Sequence, residues 1–113
     1  MTADAGHERS EYRIIYPLAV RPLLRSGVET FQVVDVSEHG VRLIDAGTVN
    51  CEMGDRLSGE LPLAHGPLVP VRGTVVRRFP DGFAVAFDED AHIILALIIG
   101  EQRHLRELFP DWR

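Results

Sequence analysis

The chain has 113 residues, 45% of them hydrophobic, a formal net charge of -5 and one cysteine. That is enough apolar material for one compact core and too little length for two ordinary domains. The acidic balance denies DNA or RNA the attraction that non-specific binding needs, and Cys51 has no partner for an internal disulfide, as expected of a protein of the reducing cytoplasm.

Residues 1–12 offer little that packs and are expected to form a flexible N-terminal arm. They are polar and charged where a secretory signal carries an apolar stretch. The folded unit is then expected over residues 13–113. From Leu18 to Phe87 six short extended segments follow: LAVRPLL, TFQVVDV, GVRLID, RLSGELPL, LVPVRGTVVRRF and GFAVAFD. Turn-forming residues separate them, among them Ser26-Gly27, Ser37 to Gly40, Met53-Gly54-Asp55 and Pro80-Asp81-Gly82. Such spacing predicts a mainly β fold, an antiparallel sheet curled into a barrel.

After Asp88 the pattern changes. Asp88, Glu89 and Asp90 supply cap and first-turn acids before a segment without proline, so a C-terminal helix is predicted over about residues 91–109. One amphipathic face needs only Ile94, Leu97, Ile98, Leu105 and Leu108, whereas Ile93 to Ile99 is apolar all round. The surplus points to a homo-oligomer or a docked partner through Ile93–Ile99. This seven-residue apolar run is far short of the roughly 20 residues a membrane-spanning helix needs, so no membrane insertion is expected.

Two short motifs carry the functional reading: Arg9-Ser-Glu-Tyr-Arg13 in the arm, and Asp35-Val-Ser37-Glu-His-Gly40 at the end of the second predicted strand. In a chain whose twelve basic residues are all arginine, about one R-x-x-x-R pair arises by chance, and Arg21 and Arg25 make another. Those two are read as outward neighbours on one strand. D-x-S-x-x-G is expected only roughly 0.02 to 0.03 times by chance and is the more informative half. Each motif also has a plain structural reading. Arg9 and Arg13 suit a solvated face, and DVSEHG suits a hairpin turn with Gly40 at positive φ.

Together, in this order and setting, the two motifs resemble the PilZ domain family, over about Arg9 to Phe109. The resemblance implies a six-stranded antiparallel β-barrel with a terminal helix, and a receptor for cyclic di-GMP whose arginine arm clamps the ligand against the D-x-S-x-x-G surface. On that resemblance Arg9, Arg13, Asp35, Ser37 and Gly40 bind the ligand. The chemistry of the residues agrees. A guanidinium fork matches phosphate oxygens and the N7 and O6 acceptors of guanine, and an ionised aspartate suits the N–H donors of guanine. Ser37, two residues from Asp35, shares its face if the strand persists, and Gly40 allows close approach. Many relatives carry a further arginine just before the pair, where this chain has Glu8, which favours one ligand per protomer.

No pair among His39, His92, His104 and Cys51 has recognised metal-ligand spacing, so no metal or other cofactor is expected. No nucleophile, base and orienting group stand together in the sequence, so an enzyme is not expected either. The resemblance implies an adaptor that reports to an unidentified downstream protein of motility, pilus or exopolysaccharide control. The alternative is a ligand-independent interaction module of the same fold. An oligonucleotide-binding barrel would need a basic groove with aromatic platforms, which an acidic chain with eight aromatics does not suggest.

Overall fold

The computed structural model describes residues 12–45, 51–64 and 66–112. Seven strands follow in chain order: β1 (Arg13–Ile15), β2 (Leu23–Ser26), β3 (Glu29–Ser37), β4 (Gly40–Ile44), β5 (Arg56–Pro62), β6 (Leu68–Phe79) and β7 (Gly82–Phe87). Among the described residues one α-helix, α1 (Leu95–Leu108), follows the last strand.

All pairings are antiparallel. β1 and β2 lie one after the other along the same edge of β3, Arg13–Ile15 against Asp35–Ser37 and Leu23–Ser26 against Glu29–Gln32, and so act as one interrupted stave. Taken as one, they close a six-stranded barrel through β3, β4, β7, β6 and β5 back to β2. The interruption is a 3-10 turn, Leu18–Val20, with Pro17 before it and Pro22 after it, and a proline has no N–H to give to a ladder. Closure between β2 and β5 rests on the pair Arg25↔Glu60. Glycine at position 59 allows it, because a Cβ there would stand 2.3 Å from the Arg25 carbonyl oxygen.

The first predicted strand is therefore corrected. Leu18–Val20 is a turn whose residues are not buried, and the pairing the sequence reading placed there begins instead at Arg13. Arg21 sits in the link beyond that turn, not on a strand beside Arg25.

Alternate residues of the strands point inward. Ile14, Leu24, Val33, Val36, Leu43 and Leu61 are wholly buried, and Phe83 meets Phe31 edge to face at 5.4 Å. Each such aliphatic side chain stabilises the barrel by roughly 1.5–3 kcal/mol of apolar burial.

The acids expected to open the helix do something else. Asp88 and Asp90 precede α1 by several residues, and Ile94 caps the helix without a side-chain bond. Asp88 takes a bidentate pair from Arg56 at 2.8 and 2.6 Å and a bond from Arg72 at 2.8 Å, while Arg72 reaches Asp90 at 3.1 Å. One arginine from each of two strands thus bonds these carboxylates, and the linking segment is pinned to β5 and β6. Hydrogen bonding and charge from Arg56 hold the Asp88 carboxyl below its ordinary range.

The buried face of α1 consists of Ile98, Glu101 and Leu105. Ile94 and Leu108, expected on that face, are 68% and 55% exposed. Ile93 and Ile98 are covered by the protein's own barrel, so the outward surplus of the apolar run centres on Ile94. Among the described residues no helix is long and apolar enough to cross a membrane.

Candidate functional site

Two β-bulges decide which side chains face out of the barrel on one side. In β3 the ladder to β4 shifts between Val33 and Asp35, so Val34 is an extra residue. Val33 and Val36 both point into the core, and Asp35 and Ser37 are thereby brought to the outer surface. In β6 the ladder to β7 shifts between Val75 and Arg77, with Val76 extra. Val75 faces the core, and Arg77 and Phe79 come onto the outer surface beside Ala84. Were the same residues, Val76 included, to run as a regular strand, strict alternation would aim Arg77 and Phe79 inward.

The result is one cross-strand row: Ile15↔Asp35, Asp35↔Arg42, Arg42↔Ala84 and Ala84↔Arg77, spanning β1, β3, β4, β7 and β6. Alanines at 84 and 86 keep its floor low, and a cavity of about 610 Å³ opens above them. Arg13, Asp35, Ser37 and Gly40, four of the five residues singled out from the sequence, line this cavity. Arg9, the fifth, lies outside the described residues.

Arg13 is opposite Ser37 in register, and its Nη1 donates diagonally to Asp35 Oδ1 at 2.8 Å. Half of the Arg13 side chain is exposed, against 13% for Asp35, so the cation forms the rim and the carboxylate the wall. Ser37 is buried, and its Oγ accepts the His39 N–H at 3.2 Å. The hydroxyl therefore braces the turn as the plain reading had it, while still lining the cavity.

The plain reading of Gly40 is corrected. Only Gly27 and Gly54 among the described glycines have left-handed φ. Gly40 opens β4, where a Cβ would stand 2.7 Å from the carbonyl oxygen of Val85 on β7. The strand pair, not a turn, requires glycine here.

Three lining residues were not picked out from the sequence. Arg42 stacks over the Phe79 ring at 4.0 Å and approaches Asp81 Oδ1 at 3.5 Å, too long for a strong bond. Its Nε is buried and meets no acceptor among the described residues, an arrangement that an incoming anion would relieve. Arg77 stands 6.0 Å from the same ring. The cavity thus presents three arginines against one aspartate, in a chain of net charge -5. Arg42 was legible, since it lies two residues beyond Gly40 and alternation puts the two on one face. Arg77 and Phe79 were not, because the bulge at Val76 reverses the parity.

A second cavity of about 770 Å³ lies between β5, β6 and the start of α1. It is walled largely by apolar residues such as Leu68, Pro70, Ile93 and Leu97, and its arginines, Arg25 and Arg72, are balanced by Glu60 and Asp90. An anion has less reason to settle there than in the smaller cavity. His39 and His92 meet edge to face at 4.5 Å between the two cavities, and among the described residues no three metal-ligating side chains gather.

Comparisons with known proteins identify the family and the fold. The sequence profile of the PilZ domain matches residues 7–100. The chain belongs to the PilZ domain family. No curated protein sequence matches this PilZ chain significantly. Among solved structures, the Bacillus subtilis inhibitor of motility (MotI/DgrA) is similar in fold, with a TM-score of 0.64 and 13% identity over 91% of this chain. The match spans 52% of that protein, about half its length. A Legionella uncharacterized protein, Lpg0364, has a TM-score of 0.52 and 14% identity, covering 88% of this chain and 96% of that one.

Proposed function

We propose that this PilZ domain is a cytoplasmic, non-catalytic receptor for cyclic di-GMP, bound in the arginine-rimmed cavity. One observation carries the reading: Arg13 from β1, Asp35 and Ser37 from β3 and Gly40 from β4 meet at a single cavity whose free volume is lined by two further arginines. In this reading the guanidinium groups of Arg13, Arg42 and Arg77 take the phosphates and the N7 and O6 edges of guanine. Asp35 accepts from guanine N–H groups, which disfavours adenine. Arg9, four residues before Arg13 in the sequence, adds a fourth guanidinium to this scheme. No cofactor enters the scheme, and the ligand's two negative charges match the local excess of arginine.

The bound state then reports to a downstream protein. Motility, pilus assembly and exopolysaccharide synthesis are the candidate outputs, motility being the one that appears in the name of a structural neighbour. Isothermal calorimetry with cyclic di-GMP, using cyclic di-AMP and GTP as controls, tests the proposal and gives the stoichiometry. Selective, saturable heat is expected, and Arg9→Ala and Arg13→Ala should each weaken it with little change in melting temperature. No heat at high micromolar ligand would leave the interaction-module reading in its place.

A further inference from the structure

Strand β1 is three residues long and, among the described strands, pairs with β3 alone. The Tyr16 N–H donates to the Val34 carbonyl at 3.0 Å, so Tyr16 faces β3, and by alternation Arg13 and Ile15 turn their backbone groups to the opposite edge. Among the described residues no strand meets that edge, because β5 reaches the interrupted stave only at Arg25 in β2.

Helix α1 and the residues after it fill the gap. The Trp112 Nε1–H donates to the Ile15 carbonyl oxygen at 2.5 Å, on the edge that β3 leaves open. Glu101 is 1% exposed, and its Oε2 accepts both the Tyr16 hydroxyl at 2.8 Å and the backbone N–H of Ala64, just beyond β5, at 2.8 Å. One buried carboxylate thus joins the ends of the two strands that do not pair with each other. Burial, reinforced by the charge and hydrogen bond of Glu101, pushes the Tyr16 phenol far above its ordinary range, so it stays a donor.

We infer that α1 positions Arg13: Trp112 and Tyr16 are positioning residues that fix the free edge of β1 and so hold the Arg13 side chain over Asp35 and Ser37. Neither residue lines the cavity. Arg13 is two residues from Ile15 and three from Tyr16, on a strand with one paired edge, so its placement depends on what covers the other. This rests on the cyclic di-GMP reading only for the effect on affinity. Linkage makes the effect reciprocal, and a ligand that engages Arg13 tightens the docking of α1 by the same factor.

Two measurements test it. In ligand-free protein, amide hydrogen exchange at Tyr16 should quicken about tenfold in Trp112→Phe and in Tyr16→Phe, while the Val33 amide, bonded to Pro22 on the β2 half of the stave, is unchanged. By calorimetry, Trp112→Phe should weaken cyclic di-GMP binding about 3- to 10-fold, the worth of one hydrogen bond. In an Arg13→Ala background the same change should alter affinity less than twofold, since its effect passes through Arg13. An unchanged Tyr16 exchange rate in both variants would overturn the inference, as would an equal loss of affinity with and without Arg13. If the wild-type protein gives no cyclic di-GMP heat, the ligand reading falls, and the exchange rates alone then decide whether α1 positions β1.

Discussion

Replacing Gly40 by alanine separates two explanations of the D-x-S-x-x-G glycine. The added Cβ would stand 2.7 Å from the Val85 carbonyl oxygen, about 0.7 Å inside ordinary contact, and its obstacle is backbone rather than a flexible side chain. β4 must therefore move off β7 at the pair Gly40↔Ala86, next to the bond from the Phe87 N–H to the His39 carbonyl at 2.8 Å. Overpacking costs about 1–3 kcal/mol and a loosened ladder bond about 1 kcal/mol, so a loss of about 2–4 kcal/mol is expected. For a domain of this size that corresponds to a fall in melting temperature of roughly 8–16 °C. Thermal unfolding followed by circular dichroism, with calorimetric titration of cyclic di-GMP on the same sample, reads both effects. Ligand binding should weaken along with stability, because the strand that moves carries Arg42. An unchanged melting temperature with binding abolished would refute this reasoning and show that the glycine is reserved for the ligand.

Gly100→Ala is the opposite case: nothing lies within 4 Å of its would-be Cβ in mid-helix, so a gain of about 0.5–1 kcal/mol is expected in denaturant unfolding. Arg42→Ala should weaken cyclic di-GMP binding about tenfold with little effect on melting, because the stack on Phe79 lies at the surface of the barrel. Wild-type affinity in that variant would remove Arg42 from the site. Asp88 has its carboxyl held below the ordinary range of about 3.9, so its contribution to stability is present above that value and is lost as pH falls through the lower folded-state value. Asp88→Asn should therefore melt earlier than wild type at pH 6, with the difference closing as the pH is taken well below the ordinary carboxylate range; a gap that persists there would point to something other than the carboxylate charge.

The barrel was legible because its inward residues keep a period of two between well-marked turns, and DVSEHG stood out as a short polar interval between two such runs. What escaped the sequence has identifiable physical causes. The strand Arg13–Ile15 is too short to show any period, and it pairs only because β3 is long enough to take two partners on one edge. Asp88 and Asp90 have the local pattern of helix caps, and nothing in the adjoining sequence reveals Arg56 and Arg72 on strands 16 to 34 residues earlier. The burial of Glu101 has no sign in the local sequence, since it depends on donors at Tyr16 and Ala64, which are distant in sequence. For the site, Asp35 and Ser37 were placed on one face correctly, although the bulge at Val34, invisible in the sequence, is what makes that face the outer one.

The bulge at Val76 has a further consequence for how this sequence tolerates change. Val76 is the extra residue, so its deletion alone would restore a regular strand in which Val75 still faces the core, Arg77 still stands opposite Ala84 on the outer face and Arg78 still stands opposite Phe83. Such a chain would lose the local bend and added twist of the bulge and keep Arg77 and Phe79 on the wall of the cavity. Within β6 the bulge is therefore the place where a one-residue deletion harms the site least, because the residue lost is the one that pairs with nothing across the ladder.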